Sequence, residues 1–414
     1  MSPLGKGAGV RLRCLGVRCK VTRFLLIALV TAIGCDRPEA PSALMVRGME
    51  YVNSPAARRA AFEASLVNPP NGYSQVRTER YTEERWGALP LWNPPARSIG
   101  LGESPPERLD DGQALSYQDV PWTHEALIEL GARAFFDYPI QITPALHIAI
   151  ENPEPYGVVV EGDRLPTLVW TRTDGGIFPA LTCASCHADR DQDGRWHAGR
   201  TNPNFNYGRL FEDFYGTQSA RGRWGPAKVD VTVDGLVNPT VVTDLRPIAH
   251  QRYLHRAATL YNDPIALAVR LETLIITATG QVVRPPRKVI FAMALYLWSL
   301  ADSLPPMPAD KAGHAVFERE CSGCHGGEGL VGEPIPLETV GTDPWVGLSG
   351  SRGTGMYRVP SLRGVGDRTP LFAAGGVSDL EELLDPARAA VGHTYGLALP
   401  ADERDALLEY LRAL

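Results

Sequence analysis

The sequence predicts a mainly α protein built as two helical units in tandem, the first enlarged by long insertions that include some β structure. Three observations predict it: two Cys-x-x-Cys-His motifs 138 positions apart, a Gly-x-x-x-aromatic helix ahead of each, and an apolar helix closing each half. A length of 414 residues suits two or three domains rather than one. Hydrophobic residues at 44% and charged residues at 21% are the usage of a globular chain.

The chain opens on a targeting pattern. Lys6, Arg11, Arg13, Arg18, Lys20 and Arg23 precede the apolar run from Phe24 to Gly34, and Cys35 follows. The run is shorter than the roughly 20 residues a membrane span needs and has the length of a signal-peptide core. Gly34 before Cys35 resembles the lipobox of bacterial lipoproteins, with Ala32 where Leu is usual. Residues 1–35 are therefore read as a lipoprotein-type signal, with Cys35 as the lipidation site. Residues 36–120 hold many prolines and few periodic runs, and read as a tether followed by extended chain wrapping the next unit.

Residues 121–304 form the first unit. Its leading helix runs from Thr123 through Gly131 to Phe135. A Pro-rich insertion with β-forming stretches (Tyr156–Val160 and Thr167–Trp170) leads into Cys183, and the helix from Lys288 to Leu300 closes the unit. Pro305-Pro306-Met307-Pro308 marks the boundary, because stacked prolines stop a helix and stiffen a linker. Residues 305–414 repeat the plan. Gly313 and Phe317 lead into Cys321, and a helix from Ala401 ends the chain with Leu407, Leu408, Leu411 and Leu414 on one stripe. Gly313 permits close approach where the two helices cross. With their ends aligned, Leu295–Leu300 and Glu409–Leu414 match at three positions.

Cysteine usage points to the chemistry. Of seven cysteines, Cys14, Cys19 and Cys35 lie in the leader and the other four make the two motifs, so no pair is left for a disulfide. Cys183-Ala-Ser-Cys186-His187 and Cys321-Ser-Gly-Cys324-His325 are the attachment pattern of c-type haem. Two thiols one helical turn apart each form a thioether with a haem vinyl, and the next residue sets its imidazole under the iron. A zinc ribbon needs its Cys-x-x-Cys pairs roughly 15–20 residues apart. The cofactors read from the sequence are thus two c-type haems with iron, ligated by His187 and His325.

The sixth ligand separates electron transfer from catalysis. Met356, in Gly353-Thr-Gly-Met356-Tyr-Arg-Val-Pro360, is the one methionine after the second motif and the candidate for that haem. No methionine lies between His187 and Met293, which reads as core. For the first haem the candidates are His197, His250 and His255, with His255 preferred, and an open site is the alternative.

The second unit resembles a class I cytochrome c. Phe317-x-x-x-Cys321-Ser-Gly-Cys-His325, Tyr357-Arg-Val-Pro-Ser-Leu-Arg-Gly364 and Gly392-His-Thr-Tyr-Gly396 are similar to the bacterial di-haem cytochrome c peroxidase and MauG superfamily. That resemblance implies one high-potential haem that stores an electron and one low-potential haem that reduces peroxide or oxidises a substrate. The chain departs from it at Thr369-Pro-Leu-Phe-Ala-Ala-Gly375, which lacks the His and Asp many relatives carry there.

Asp189-Arg-Asp191-Gln-Asp193-Gly194 opens like an EF-hand calcium loop, but Arg200 stands where the bidentate Glu belongs, and a solvated turn is the preferred reading. Trp298 reads as core, with a place between the haems as the alternative. Losing residues 1–34 moves the net charge from −6 to −12. So acidic a chain argues against nucleic-acid binding, which needs basic patches, and permits steering of a basic redox partner. The function expected is an exported, lipid-anchored di-haem cytochrome on the periplasmic side of a bacterial membrane. It exchanges electrons with a small redox protein or a membrane electron-transport component. The alternative is a peroxidase-like or MauG-like oxidoreductase reacting with peroxide or oxygen at the first haem, and a haem-bearing structural subunit is a third class.

Overall fold

The computed structural model describes residues 42–191, 193–216, 221, 224–230 and 237–414. The segment read from the sequence as an export signal, with Cys35 as its lipidation site, lies outside them. Helix makes up 41% and strand 14% of the structure, so helices build the frame and the sheets are local. No described helix is long and apolar enough to cross a membrane.

Residues 43–80, expected as tether and extended chain, are helical instead. Helices α1 (Ala43–Asn53), α2 (Pro55–Ser65) and α3 (Gly72–Arg80) follow in succession. Each begins on a polar cap: Ser42 accepts from the Met45 N–H, Ser54 from Ala57 and Asn71 from Ser74. Their aromatic residues Tyr51, Phe62 and Tyr73 are buried in the first core. Glu272 fastens this layer: its fully buried carboxylate accepts from Tyr51 Oη at 2.8 Å, Tyr81 Oη at 2.6 Å and Arg287 Nε at 2.9 Å.

A four-stranded antiparallel sheet follows, in the order β1 (Ala96–Gly100), β3 (Arg164–Thr173), β4 (Gly176–Leu181), β2 (Gln141–Ile142). Its inner face, with Ile99, Leu168 and Trp170, closes a second core over α5 (Leu146–Glu151) and α7 (Tyr207–Tyr215). Of the two β-forming stretches, Thr167–Trp170 lies in β3, whereas Tyr156–Val160 forms no strand. The chain turns there at Gly157, with φ of +63° and its Cα so close to the Asn204 carbonyl that a Cβ would stand 1.9 Å from the oxygen.

Two helix crossings organise the rest. In the first half α4 (His124–Asp137) meets α9 (Arg287–Ser299), with α8 (Pro264–Ala278) beside it. In the second, α10 (Lys311–Glu320) meets α14 (Ala401–Ala413), with short helices α11 (Leu337–Val340), α12 (Trp345–Leu348) and α13 (Leu380–Leu383) between them. Both crossings rest on a glycine. A Cβ on Gly131 would lie 2.1 Å from Ala292 O and 2.7 Å from Tyr296 Cβ; on Gly313 it would lie 2.3 Å from Ala406 O and 2.5 Å from Tyr410 Cβ. Phe135 packs on Tyr296 at 5.6 Å and Phe317 on Tyr410 at 5.4 Å. Leu407, Leu408, Leu411 and Leu414 are all buried as one stripe. Pro305 to Pro308 joins the halves without regular structure.

Candidate functional site

Each Cys-x-x-Cys-His motif sits at the wall of a cavity. The first forms helix α6 (Cys183–His187), whose start is tied to the sheet. Ser185 Oγ and Thr182 Oγ1 both donate to the Thr167 carbonyl, at 2.7 and 2.9 Å, and Thr182 N donates to Ser185 Oγ. The thiols and His187 line a cavity of about 620 Å³. His187 Nδ1 stands 2.9 Å from the Thr243 carbonyl oxygen. A carbonyl only accepts, so Nδ1 carries the proton and Nε2 keeps the lone pair that binds a metal. Burial pushes the His187 imidazole down to about 4, which keeps it neutral. Met293, buried on α9, lies 3.6 Å from Cys183 Sγ and belongs to the core, as its mid-helix position suggests.

The second motif repeats this arrangement. Cys321, Cys324 and His325 line a cavity of about 320 Å³. His325 Nδ1 faces the Pro360 and Leu330 carbonyl oxygens at 3.1 and 3.3 Å, and burial pushes the ring down to about 4. Gly332 passes the motif so closely that a Cβ would stand 2.3 Å from the Cys324 carbonyl oxygen. Burial holds the thiols of Cys183, Cys186 and Cys321 near 12, so they rest protonated.

The structure sorts the sixth-ligand candidates. Of the three histidines proposed for the first site, His255 lines the cavity with His187, and the other two do not. His197 is paired with Asp191 at 2.9 Å, and His250 packs over Gly329. The His255 ring is held from several sides. Arg270 Nε donates to its Nε2 at 2.6 Å, Tyr73 meets its edge at 4.8 Å, and Nδ1 is buried without a partner. Burial, then the charges of Arg352, Arg270, Arg77 and Arg358, push its imidazole well below the usual range.

Met356 lies in a two-residue strand opposite Pro336, and its neighbour Tyr357 lines the second cavity. Side chains alternate along a strand, so the two point to opposite faces. His393 lines that cavity as well. Trp298 packs against the first core and lines neither cavity.

Two residues the sequence reading missed line both cavities: Arg256 and Arg358. Arg358 N donates to the Arg256 carbonyl at 2.7 Å, which fixes them side by side. Burial pushes Arg256 down to about 10 and Arg358 to about 9, the latter helped by repulsion from Arg256 and Arg368. Both remain cations at neutral pH, and Arg358 Nε and Arg270 Nη1 are buried without a partner. Buried cations of this kind call for an anion. Paired thiols, an oriented neutral imidazole, apolar walls and buried guanidiniums are the donor set that a haem with two propionates fits.

Residues 311–414 match the family model of cytochrome c. The match begins at the first residue of α10 and runs to the end of the chain, so it covers the second motif and every lining residue of the second cavity except Arg256. No curated protein matches the chain. The chain thus carries a cytochrome c domain, which implies a c-type haem with its iron and haem-based electron transfer.

Proposed function

We propose that the protein is an exported di-haem c-type cytochrome that passes electrons between two covalently bound haems and an external redox partner. One observation carries this reading: Arg256 and Arg358 line both motif-bearing cavities, so the two sites share a wall. Sharing a wall keeps the edges of the two groups close, and guanidiniums common to both would hold propionates from either side.

The likeness of the two crossings supports a second cytochrome c-like unit at residues 121–304, beside the domain at 305–414. Gly131, Phe135 and Tyr296 stand as Gly313, Phe317 and Tyr410 do. Bound haem would supply one-electron chemistry at each iron. The chain itself attaches it through Cys183 and Cys186 or Cys321 and Cys324, and holds His187 and His325 as neutral ligands with fixed tautomers. The leader, with Cys35 as the lipid anchor, supports a periplasm-facing place on a bacterial membrane. The acidic mature chain supports a small basic redox protein or a membrane electron-transport component as partner.

A specific contact favours a second reading, a peroxide-reacting oxidoreductase resembling the di-haem peroxidase and MauG superfamily. Arg270 occupies His255 Nε2 in the first cavity, and a His–Arg pair is the acid–base and cationic set that peroxide cleavage requires. Two electrons, one from each haem, and two protons would then reduce hydrogen peroxide to two waters.

EPR and optical spectra of the oxidised and half-reduced holoprotein, with and without hydrogen peroxide, test the choice. Two low-spin centres indifferent to peroxide are expected. A high-spin centre that reacts with peroxide would replace the carrier by the oxidoreductase.

A further inference from the structure

We propose that His393 is the sixth ligand of the haem attached at Cys321 and Cys324, so that this centre is bis-histidine, with His325 on the other face of the iron. The proposal rests on the haem reading of the second cavity and on nothing about the first.

His393 and His325 line the same cavity, and they are the histidines among its lining residues. His393 lies on the loop that leads into α14, eight positions before Ala401. The loop is pinned on both sides of this residue. His393 N donates to the Val340 carbonyl at 2.6 Å, and Arg388 Nη2 donates to the His393 carbonyl at 2.7 Å. Gly392 before it has φ of +81°, and its Cα is pressed so close to Gly341 that a Cβ would meet backbone at 2.4 Å.

His393 itself takes a φ of +45°, a left-handed conformation that costs a residue with a Cβ. Its Nδ1 is buried without a hydrogen-bond partner. Phe372 at 6.1 Å and Tyr395 at 5.5 Å flank the ring and limit its rotation. A strained backbone, pinned at both ends, is thus spent on holding one imidazole at the cavity wall. A residue with no task at that wall would relax outward, where water satisfies both ring nitrogens.

The test uses the full-length holoprotein and four chains: wild type, His393→Ala, His393→Met and Met356→Leu. Pyridine haemochrome first counts the haems in each. The near-infrared charge-transfer band then reports the axial pair, and a spectroelectrochemical titration gives the potential. Met356→Leu should change neither. His393→Ala should convert one low-spin centre to high spin with the haem count intact. His393→Met should restore low spin and raise that potential, because a His/Met pair lies above bis-His. A wild-type His/Met band removed by Met356→Leu, or a low-spin spectrum untouched by both His393 variants, overturns the proposal. A count of one haem in wild type that Cys183→Ala with Cys186→Ala leaves unchanged would remove the first haem, and this ligand assignment would then stand or fall on the same spectra.

Discussion

Gly131 on α4 lies against the backbone of Ala292 on α9, with room for a hydrogen but none for a methyl group: a Cβ there would stand 2.1 Å from the carbonyl oxygen. Gly313 meets Ala406 in the same way, at 2.3 Å. In both cases the partner sits four residues before a tyrosine that packs on the first helix's phenylalanine. The same contact thus closes both halves.

Gly131→Ala and Gly313→Ala should each push their helices apart and destabilise the protein by about 1–3 kcal/mol, the cost of overpacking. Urea unfolding of the holoprotein checks this. Loss of only one haem's absorbance at low urea would assign each crossing to its own cavity, whereas an unchanged midpoint would mean the helices slide apart freely.

Haem attachment should separate by motif. Cys183→Ala with Cys186→Ala is expected to leave one haem per chain by pyridine haemochrome, bound at Cys321 and Cys324. Cys321→Ala with Cys324→Ala should leave the other. A mass for the wild-type chain that accommodates a single haem would contradict the two-site reading directly.

His255 shares the first cavity with His187. If it completes the first haem's coordination, His255→Ala yields a high-spin centre without lowering the haem count. Arg270→Gln, which takes away the donor on Nε2, should then strengthen the low-spin signal. A first haem that is high-spin in wild type and indifferent to both changes would have an open site and favour the peroxide-reacting alternative.

Glu272 joins α1, the Tyr81 segment and α9 through Tyr51, Tyr81 and Arg287. Glu272→Ala leaves the Arg287 guanidinium without its buried partner and should cost about 3–5 kcal/mol. Calorimetry of the holoprotein measures it. A loss below 1 kcal/mol would mean that residues 43–80 are not integral to the first half.

The motifs, the helices on either side of them and the irregular stretch at Pro305–Pro308 were legible because their signals are local. Cysteine spacing, helical periodicity and stacked prolines each act within a few residues of where they are written. The helices at 43–80 were missed although Ser42, Ser54-Pro55 and Asn71 mark their starts, because their apolar stripes are thin and burial against α8 and α9 decides them. Strand formation at Tyr156–Val160 was overruled by close contact between Gly157 and Asn204, residues 47 positions apart.

The sequence by itself determined where the two Cys-x-x-Cys-His motifs stand and which imidazole follows each pair of thiols, since that spacing is written within five consecutive residues. Only the tertiary structure decided what faces those sites from across the cavities. His255 and His393 reach the walls while His197, His250 and Met356 do not, and Arg256 with Arg358 joins the two cavities. A distal group is brought to its place by loops packed far along the chain, and a strand's alternation turns Tyr357 inward and its neighbour Met356 away. No spacing rule within one segment carries that information.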